Sequence, residues 1–337
     1  MTGYVAGRVL ALGVLLFGLL CITFAISHVI PGDPARLAAG PDASEAMVLT
    51  LRAQYGLDRS LGTQFVVYTR GLLRGDFGLS LRSRNTVADD LARFFPNSFE
   101  LVTLSLLLAV AVGVPLGMLS AVYRDTWIDH GSRVMSVSGV AVPAFWLGLM
   151  LQLVIALHLG WLPLGGRLNL TTELPPPITH LLLLDAVLRG QWATLGDGLR
   201  HAVLPVVTLS FPALASILRV NRAEMLETLH QDYILNARAQ GLGGLRVVAK
   251  LALRNAMIPT LTMIGLRYGW MLGGTLLVES VFDWPGIGLY AVNSALSSDF
   301  VPVMGVTLVI GFNFMLANLL VDLGYAWLDP RLRRTAA

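Results

Sequence analysis

The stretch from Arg219 to Pro259, RVNRAEMLETLHQDYILNARAQGLGGLRVVAKLALRNAMIP, decides how the rest of the chain is read. It carries Arg219, Arg222, Arg238, Arg246, Lys250 and Arg254, with His230 adding partial charge, and it lies between two long apolar segments. In a soluble protein it would be an ordinary surface helix. Here it interrupts a chain built for lipid, which makes it a contact point with something outside the membrane. Asp232 to Gln240 reads as a short helix, Gly241, Gly243 and Gly244 break the period, and Leu245 to Asn255 resumes it. The expected shape is two short helices joined at an elbow, with Gly241 in the left-handed conformation that ends the first. The small residues Ala237, Ala239 and Gly241 would shape a tip that a groove in a soluble partner can grip. A plain re-entrant or interfacial helix is the competing reading.

Working outward, the 337 residues are 55% hydrophobic and only 13% charged, with mean hydropathy +0.68, outside the range of soluble domains. An all-α integral membrane protein follows. Val9 to Ile30 holds no Asp, Glu, Lys or Arg and is long enough to cross about 30 Å of hydrocarbon. The sequence after it, SHVIPGDPAR, lacks a small-residue cleavage pattern, so the segment is expected to stay as a first span. Further spans are expected at 101–123, 134–157, 202–218, 257–281 and 303–327. The result is one six-span domain over 1–337, with an external segment 31–100 and a cytoplasmic loop 219–256.

Orientation follows from where Arg and Lys flank the spans. With both termini cytoplasmic, Arg8, Arg124, Arg133, the 219–259 stretch and the tail Arg331, Arg333 and Arg334 fall inside. The segment 31–100 carries eight Arg, but a loop of that length is exempt from the charge rule. It reads as a folded lid. Ser44 caps a helix ended by Gly56, and Thr86-Val-Ala-Asp89 resembles a capping box leading to Leu91, Phe94 and Phe95. Pro175-Pro-Pro177 marks the second external loop as an irregular connection.

Enzyme motifs are absent. The only lysine, Lys250, follows Ala249, so there is no Gly-x-x-x-x-Gly-Lys phosphate cradle. No His precedes Glu, and no Gly-x-Ser-x-Gly elbow occurs. If ATP powers this protein, ATP and Mg bind to another chain, and no cofactor or metal belongs to this one. Cys21 stands alone in the first span, a buried thiol without a disulfide partner. A net charge of +3 in scattered clusters argues against nucleic acid.

Several residues inside the spans have two readings. Gly265, Gly269 and Gly273, like Gly113 and Gly117, recur at a spacing that lets helix backbones approach, within the chain or between subunits. The plainer reading is that membrane helices are simply glycine-rich. Arg267 stands eight positions after Pro259, roughly 12 Å along the helix. It lines an aqueous path and meets an anionic group of cargo, or it pairs structurally with Glu279, Asp322 or backbone carbonyls. Asn313, Asn318 and Asp322 read first as interhelical hydrogen-bonding groups.

The residues now resemble a known family, the inner-membrane permease subunits of ATP-binding-cassette importers for dipeptides, oligopeptides and nickel. Asp232-Tyr-Ile-Leu-Asn-Ala-Arg-Ala-Gln-Gly-Leu242, with Ala-Leu-Arg-Asn-Ala-Met-Ile-Pro259, looks like that family's coupling-loop motif. Ile30-Pro-Gly-Asp-Pro34, Gly75-Asp-Phe-Gly78, Pro143-Ala-Phe-Trp146, Glu279-Ser-Val-Phe-Asp-Trp-Pro-Gly-Ile-Gly288, Asn318-Leu-Leu-Val-Asp322 and Asp329-Pro-Arg331 match in order along the chain. The resemblance implies a type I importer permease in a bacterial inner membrane. It would pair with a second, similar permease, two cytoplasmic ATP-binding subunits and an extracytoplasmic binding protein that delivers peptide. It assigns the ATPase contact to Asp232, Tyr233, Ala237, Arg238, Ala239, Gly241 and Leu242, and leaves Arg267 and Glu279 as candidates for the substrate path and external gate. One departure stands out. Aligned on Gly241, the general importer motif Glu-Ala-Ala-x3-Gly-x9-Ile-x-Leu-Pro meets Leu235-Asn-Ala237 and Leu251-Ala-Leu-Arg254, without its acidic residue and proline.

Within the family, nickel or another small solute is the nearest alternative, although the six histidines form no short ligand pair. An ion-coupled secondary transporter would call for inverted repeats and midplane carboxylates, which the sequence lacks. A membrane-anchored scaffold would require no polar path.

Overall fold

The computed structural model describes residues 2–29, 36, 44–54 and 58–328. The motif Ile30–Pro34, the helix stop at Gly56, the tail Arg331, Arg333 and Arg334 with Asp329-Pro-Arg331, and the side chains of Arg8 and Asp322 lie outside what it describes. Among the described residues the regular structure is helical apart from one antiparallel bridge, Leu79 to Thr86, with irregular connections between helices. Helix α1 is Thr2–Val29, α2 Glu45–Gln54 and α3 Leu61–Leu73. Then come α4 Val87–Val122, α5 Trp127–Ala141, α6 Ala144–His158, α7 Leu182–Leu188 and α8 Trp192–Leu229. The series ends with α9 Asp232–Ala239, α10 Gly244–Val281, α11 Ile287–Leu296 and α12 Phe300–Leu328.

The core forms where α4 and α8 lie side by side, with α10 against them. Leu101, Leu214, Ile217, Leu218 and Leu272 are all buried there. Glycine makes the approach possible. A Cβ on Gly117 would stand 2.9 Å from the Leu218 carbonyl oxygen, and one on Gly269 would stand 2.0 Å from the Phe314 ring of α12. Gly113 and Gly265 meet Ile217 and Val321 in the same way, whereas Gly273 faces open space. The small-residue spacing therefore packs helices within this chain at four of its five positions.

Helix ends differ most from the sequence reading. α4 starts 14 residues before the expected span because Thr86 caps it, its Oγ1 accepting from the Asp89 amide at 3.1 Å. The expected capping box is thus the start of the span helix itself. α8 extends past the expected end to Leu229, because Met225 and Leu229 keep a buried apolar face through the charged stretch. The stretch expected as the span 134–157 is not one continuous helix: α5 and α6 meet at 106°. Pro143 lacks the amide needed to continue α5, and Val142 before it is extended, φ −85°, ψ 121°.

Among the described residues four helices, α4, α8, α10 and α12, are long and apolar enough to cross a membrane, and the bent pair would make a fifth. The apolar helix in α1 that is described, Leu10–Ala25, is shorter.

The segment expected as a lid leans on the helices beside it. Phe65 of α3 sets its ring 5.2 Å from Phe24 and 6.2 Å from Phe17 of α1. The turn around the bridge is pinned by two carboxylates. Asp299 accepts from Ser80 Oγ at 2.8 Å and the Arg82 amide at 3.1 Å, and Asp90 accepts from Asn85 Nδ2 at 3.2 Å and the Tyr290 hydroxyl at 2.8 Å. Burial, and then the Asp90 carboxylate, push the Tyr290 phenol well above its ordinary range.

Candidate functional site

The stretch 219–259 builds an end of the molecule that we call the elbow end. After α8 stops at Leu229, a two-residue turn leads into α9. α9 closes with the full set of bonds that a left-handed glycine permits: Gly241 N–H to the Arg238 carbonyl, 3.0 Å, and Leu242 N–H to the Ala237 carbonyl, 3.2 Å. Gly241 has φ +79°, as the sequence leads one to expect. The second arm of the elbow departs from expectation. Gly244 to Val281 is one continuous helix, with a π-helical turn at Val247–Ala252, so Leu245 to Asn255 is the first part of a span helix and not a separate short element.

The elbow has an inner and an outer face. Ile234 and Ala237 point inward, packed with Ala121, Met225, Leu229, Val247, Ala252 and Ala256. Ala237 therefore does not shape the gripped tip: it is 8% exposed and fills the protein's own core. Asp232, Tyr233, Leu235, Arg238, Ala239 and Gly241 are exposed, Leu242 is half-buried, and Leu245 beyond the bend is 81% exposed. Asn255 Nδ2 donates to the Tyr233 hydroxyl at 2.5 Å, tying the two arms together.

Behind the elbow stands a charge cluster that the sequence did not announce. Asp129, in the first turn of α5, has no solvent exposure. Its carboxylate receives a two-pronged contact from Arg222 of α8, Nε to Oδ1 at 2.6 Å and Nη2 to Oδ2 at 2.8 Å. Ser120 Oγ of α4 donates to Oδ1 at 2.7 Å and the Asp125 amide to Oδ2 at 3.0 Å, with Arg133 on the outer side. Beside Arg222, the buried Asn221 donates to Thr260 of α10 at 3.2 Å. Ninety-three positions separate Arg222 from Asp129, so no local spacing could have paired them. The one available signal was a carboxylate in a short loop otherwise read only for its basic residues.

At the opposite end, the Glu279–Gly288 motif folds back on the start of α4. Glu279 is 0% exposed, so it is not a wall residue of an open passage. Its Oε1 accepts from Ser98 Oγ at 2.5 Å and its Oε2 from the Leu289 amide at 2.9 Å. A Cβ on Gly286 would fall 2.3 Å from Ser98 Oγ and 2.4 Å from Glu279 Oε1, which explains the glycine at this turn. Trp284 Nε1 donates to the Asn97 carbonyl at 3.0 Å, and the Arg167 guanidinium lies 5.3 Å from the Trp284 ring centre while bonding Asn97 and Glu100. Burial lowers the Arg167 pKa, and Glu100 beside it works in the opposite direction.

Arg267 sits midway along α10, half-buried, beside the exposed Leu266 and Trp270. It makes no ion pair or hydrogen bond with a described residue, and the charge that bears on it is Arg219 of α8. A pair with Glu279 is not formed. Asn313 Nδ2 bonds the Val309 carbonyl of its own helix at 3.0 Å, not a neighbouring helix as expected.

Long apolar helices, a bent helix pair and an elbow presented at one end define a multi-pass membrane protein. The family profile for binding-protein-dependent transport system inner membrane components matches residues 113–334, and the profile for the N-terminal part of such membrane components matches residues 1–102. The chain belongs to this family, of the type I ABC permease fold. It is 47% identical over 317 residues to the probable D,D-dipeptide transport system permease protein of Escherichia coli K12, covering 94% of this chain and 93% of that one. It is 37% identical to the dipeptide transport system permease protein of Alkalihalophilus pseudofirmus, over 99% and 100% of the two chains. Against the glutathione transport system permease protein of Escherichia coli K12 the identity is 39%, over 99% of each.

Proposed function

We propose that this chain is one permease half of an ATP-driven importer of short peptides. The observation that carries the reading is the end-to-end match to permeases of dipeptide and glutathione systems, with 93% or more of both chains aligned. A second permease, two ATP-binding subunits and an extracytoplasmic binding protein complete the assembly, and ATP with Mg is bound by the partner subunits. The whole chain forms one six-span domain, with both termini and the elbow in the cytoplasm. The elbow is the coupling element: the exposed face of Asp232, Tyr233, Arg238 and Ala239, with the Gly241 bend and Leu242 behind it, enters the ATPase groove. Ala237 holds that face from the inside. ATP closes the partner subunits, the elbow moves with them, and the spans tilt to open the path alternately outward and inward.

Support for Arg267 in the path comes from its half-buried place midway along α10, beside the exposed Leu266 and Trp270. A peptide carboxylate is the group it would meet. Glu279 acts from behind the wall, holding the turn at the external mouth. The test is reconstitution of the four kinds of subunit in proteoliposomes, with ATP-dependent uptake of a labelled dipeptide. Uptake without the ATP-binding subunits would overturn the reading. With Arg267→Gln and Arg267→Lys, unchanged cargo preference alongside lowered stability would remove Arg267 from the path.

A further inference from the structure

The charge cluster behind the elbow has no part in the coupling contact itself, yet it joins the helices that must follow the elbow. Asp129 on α5 is fully enclosed and receives donors from α4 (Ser120), α8 (Arg222) and its own loop (Asp125). Arg222 precedes α9 by only ten residues, and its side chain is 19% exposed. From the elbow inward the contacts are continuous. Ala237 and Ile234 pack with Met225 and Leu229 of α8 and with Ala121 of α4, the residue next to Ser120. Asn221, next to Arg222, reaches Thr260 of α10. At its far end α5 stops at the bend before Pro143, where the chain turns by 106°.

A carboxylate held in a guanidinium fork resists both sliding and rotation, because two parallel bonds must stretch together. Enclosure strengthens this resistance, since separating the pair would leave the buried Asp129 carboxylate without its two-pronged partner and only its remaining donors Arg133, Ser120 and the Asp125 amide. We propose that Asp129 and Arg222 are positioning residues for energy coupling. Their clamp makes the elbow ends of α4, α5 and α8 one rigid lever, so a push on the elbow is delivered to α5 and its bend instead of being lost as slippage between helices. This rests on the coupling role proposed for the elbow.

The experiment uses the complete transporter in proteoliposomes and reads cargo imported per ATP hydrolysed. Asp129→Asn and Arg222→Gln are expected to keep hydrolysis in the assembled complex while lowering uptake per ATP by roughly tenfold, the scale of losing a charge-assisted hydrogen bond that holds the lever together. Arg222→Lys, which keeps the charge but loses the fork, should fall between. Exchange of the pair, Asp129→Arg with Arg222→Asp, should recover part of the loss. Arg124→Gln, whose exposed side chain pairs with Asp125 and not with Asp129, should behave as the unaltered chain. Assembled single variants with normal uptake per ATP would overturn the clamp, and so would a loss confined to the amount of complex.

A second measurement does not depend on the variants folding. Spin labels at Trp127→Cys and Glu227→Cys, in a Cys21→Ser background, should hold one separation through the nucleotide cycle while the elbows of the two permeases change theirs. A separation between α5 and α8 that shifts with nucleotide would defeat the proposal. If the unaltered complex shows no ATP-driven uptake at all, the importer reading has failed, and that outcome is distinct from failure of the clamp.

Discussion

Gly241 offers a substitution series whose magnitude can be worked out from two observations. Its φ is +79°, and a Cβ built there would meet nothing within 4 Å. Any penalty for a side chain is therefore backbone strain alone, about 1–2 kcal/mol for an L-residue in the left-handed region. That energy corresponds to a loss of the closed elbow of roughly 5–30-fold. Asn tolerates this conformation through its local hydrogen bonds, Ala bears the whole penalty, and Val bears most, being β-branched. The expected order is Gly, Asn, Ala, Val, although Asn is larger than Ala. Hydrogen exchange at the Gly241 and Leu242 amides, which donate the two bonds closing α9, reads the elbow directly. Uptake per ATP in the assembled transporter reads its consequence. An order that followed side-chain volume, with Asn worse than Ala, would refute the reasoning and show that space, not φ, governs this position.

Three further outcomes separate packing from docking. Gly269→Ala should lower thermal stability by about 1–3 kcal/mol, the usual cost of overpacking, because its methyl would meet the Phe314 ring; Gly273→Ala, one step along the same spacing, should melt unchanged. Ala237→Leu should destabilise the elbow measurably in the isolated chain, since Ala237 fills the cluster around Met225, whereas Ala239→Leu should leave melting intact and weaken only binding of the ATPase subunits. Glu279→Ala should cost about 1–3 kcal/mol for each donor it orphans, the Ser98 hydroxyl and the Leu289 amide, with Glu279→Gln costing less; equal melting of the two variants would count against the account of that turn.

Sequence alone determined that this chain is helical and lipid-embedded, because composition and uninterrupted apolar runs leave few alternatives. It also determined the left-handed stop at Gly241 and the cap at Thr86, because both are local: they need only a residue without a Cβ, or a hydroxyl, a few positions from the amides they serve. Packing decided the rest. Periodicity cannot tell where a helix ends when its buried face continues into charged sequence, so α4 and α8 outran their apolar cores at Thr86 and Leu229. Apolar length likewise hides the bend inside 134–157, where Pro143 and the extended Val142 before it break the helix in the middle of an unbroken hydrophobic run. Above all, the direction a side chain faces was settled only in three dimensions. Ala237 turned inward, Glu279 was enclosed by a turn ten residues later, and Asp129 found Arg222 across ninety-three positions, because carboxylates kept from water must find donors wherever the fold brings them.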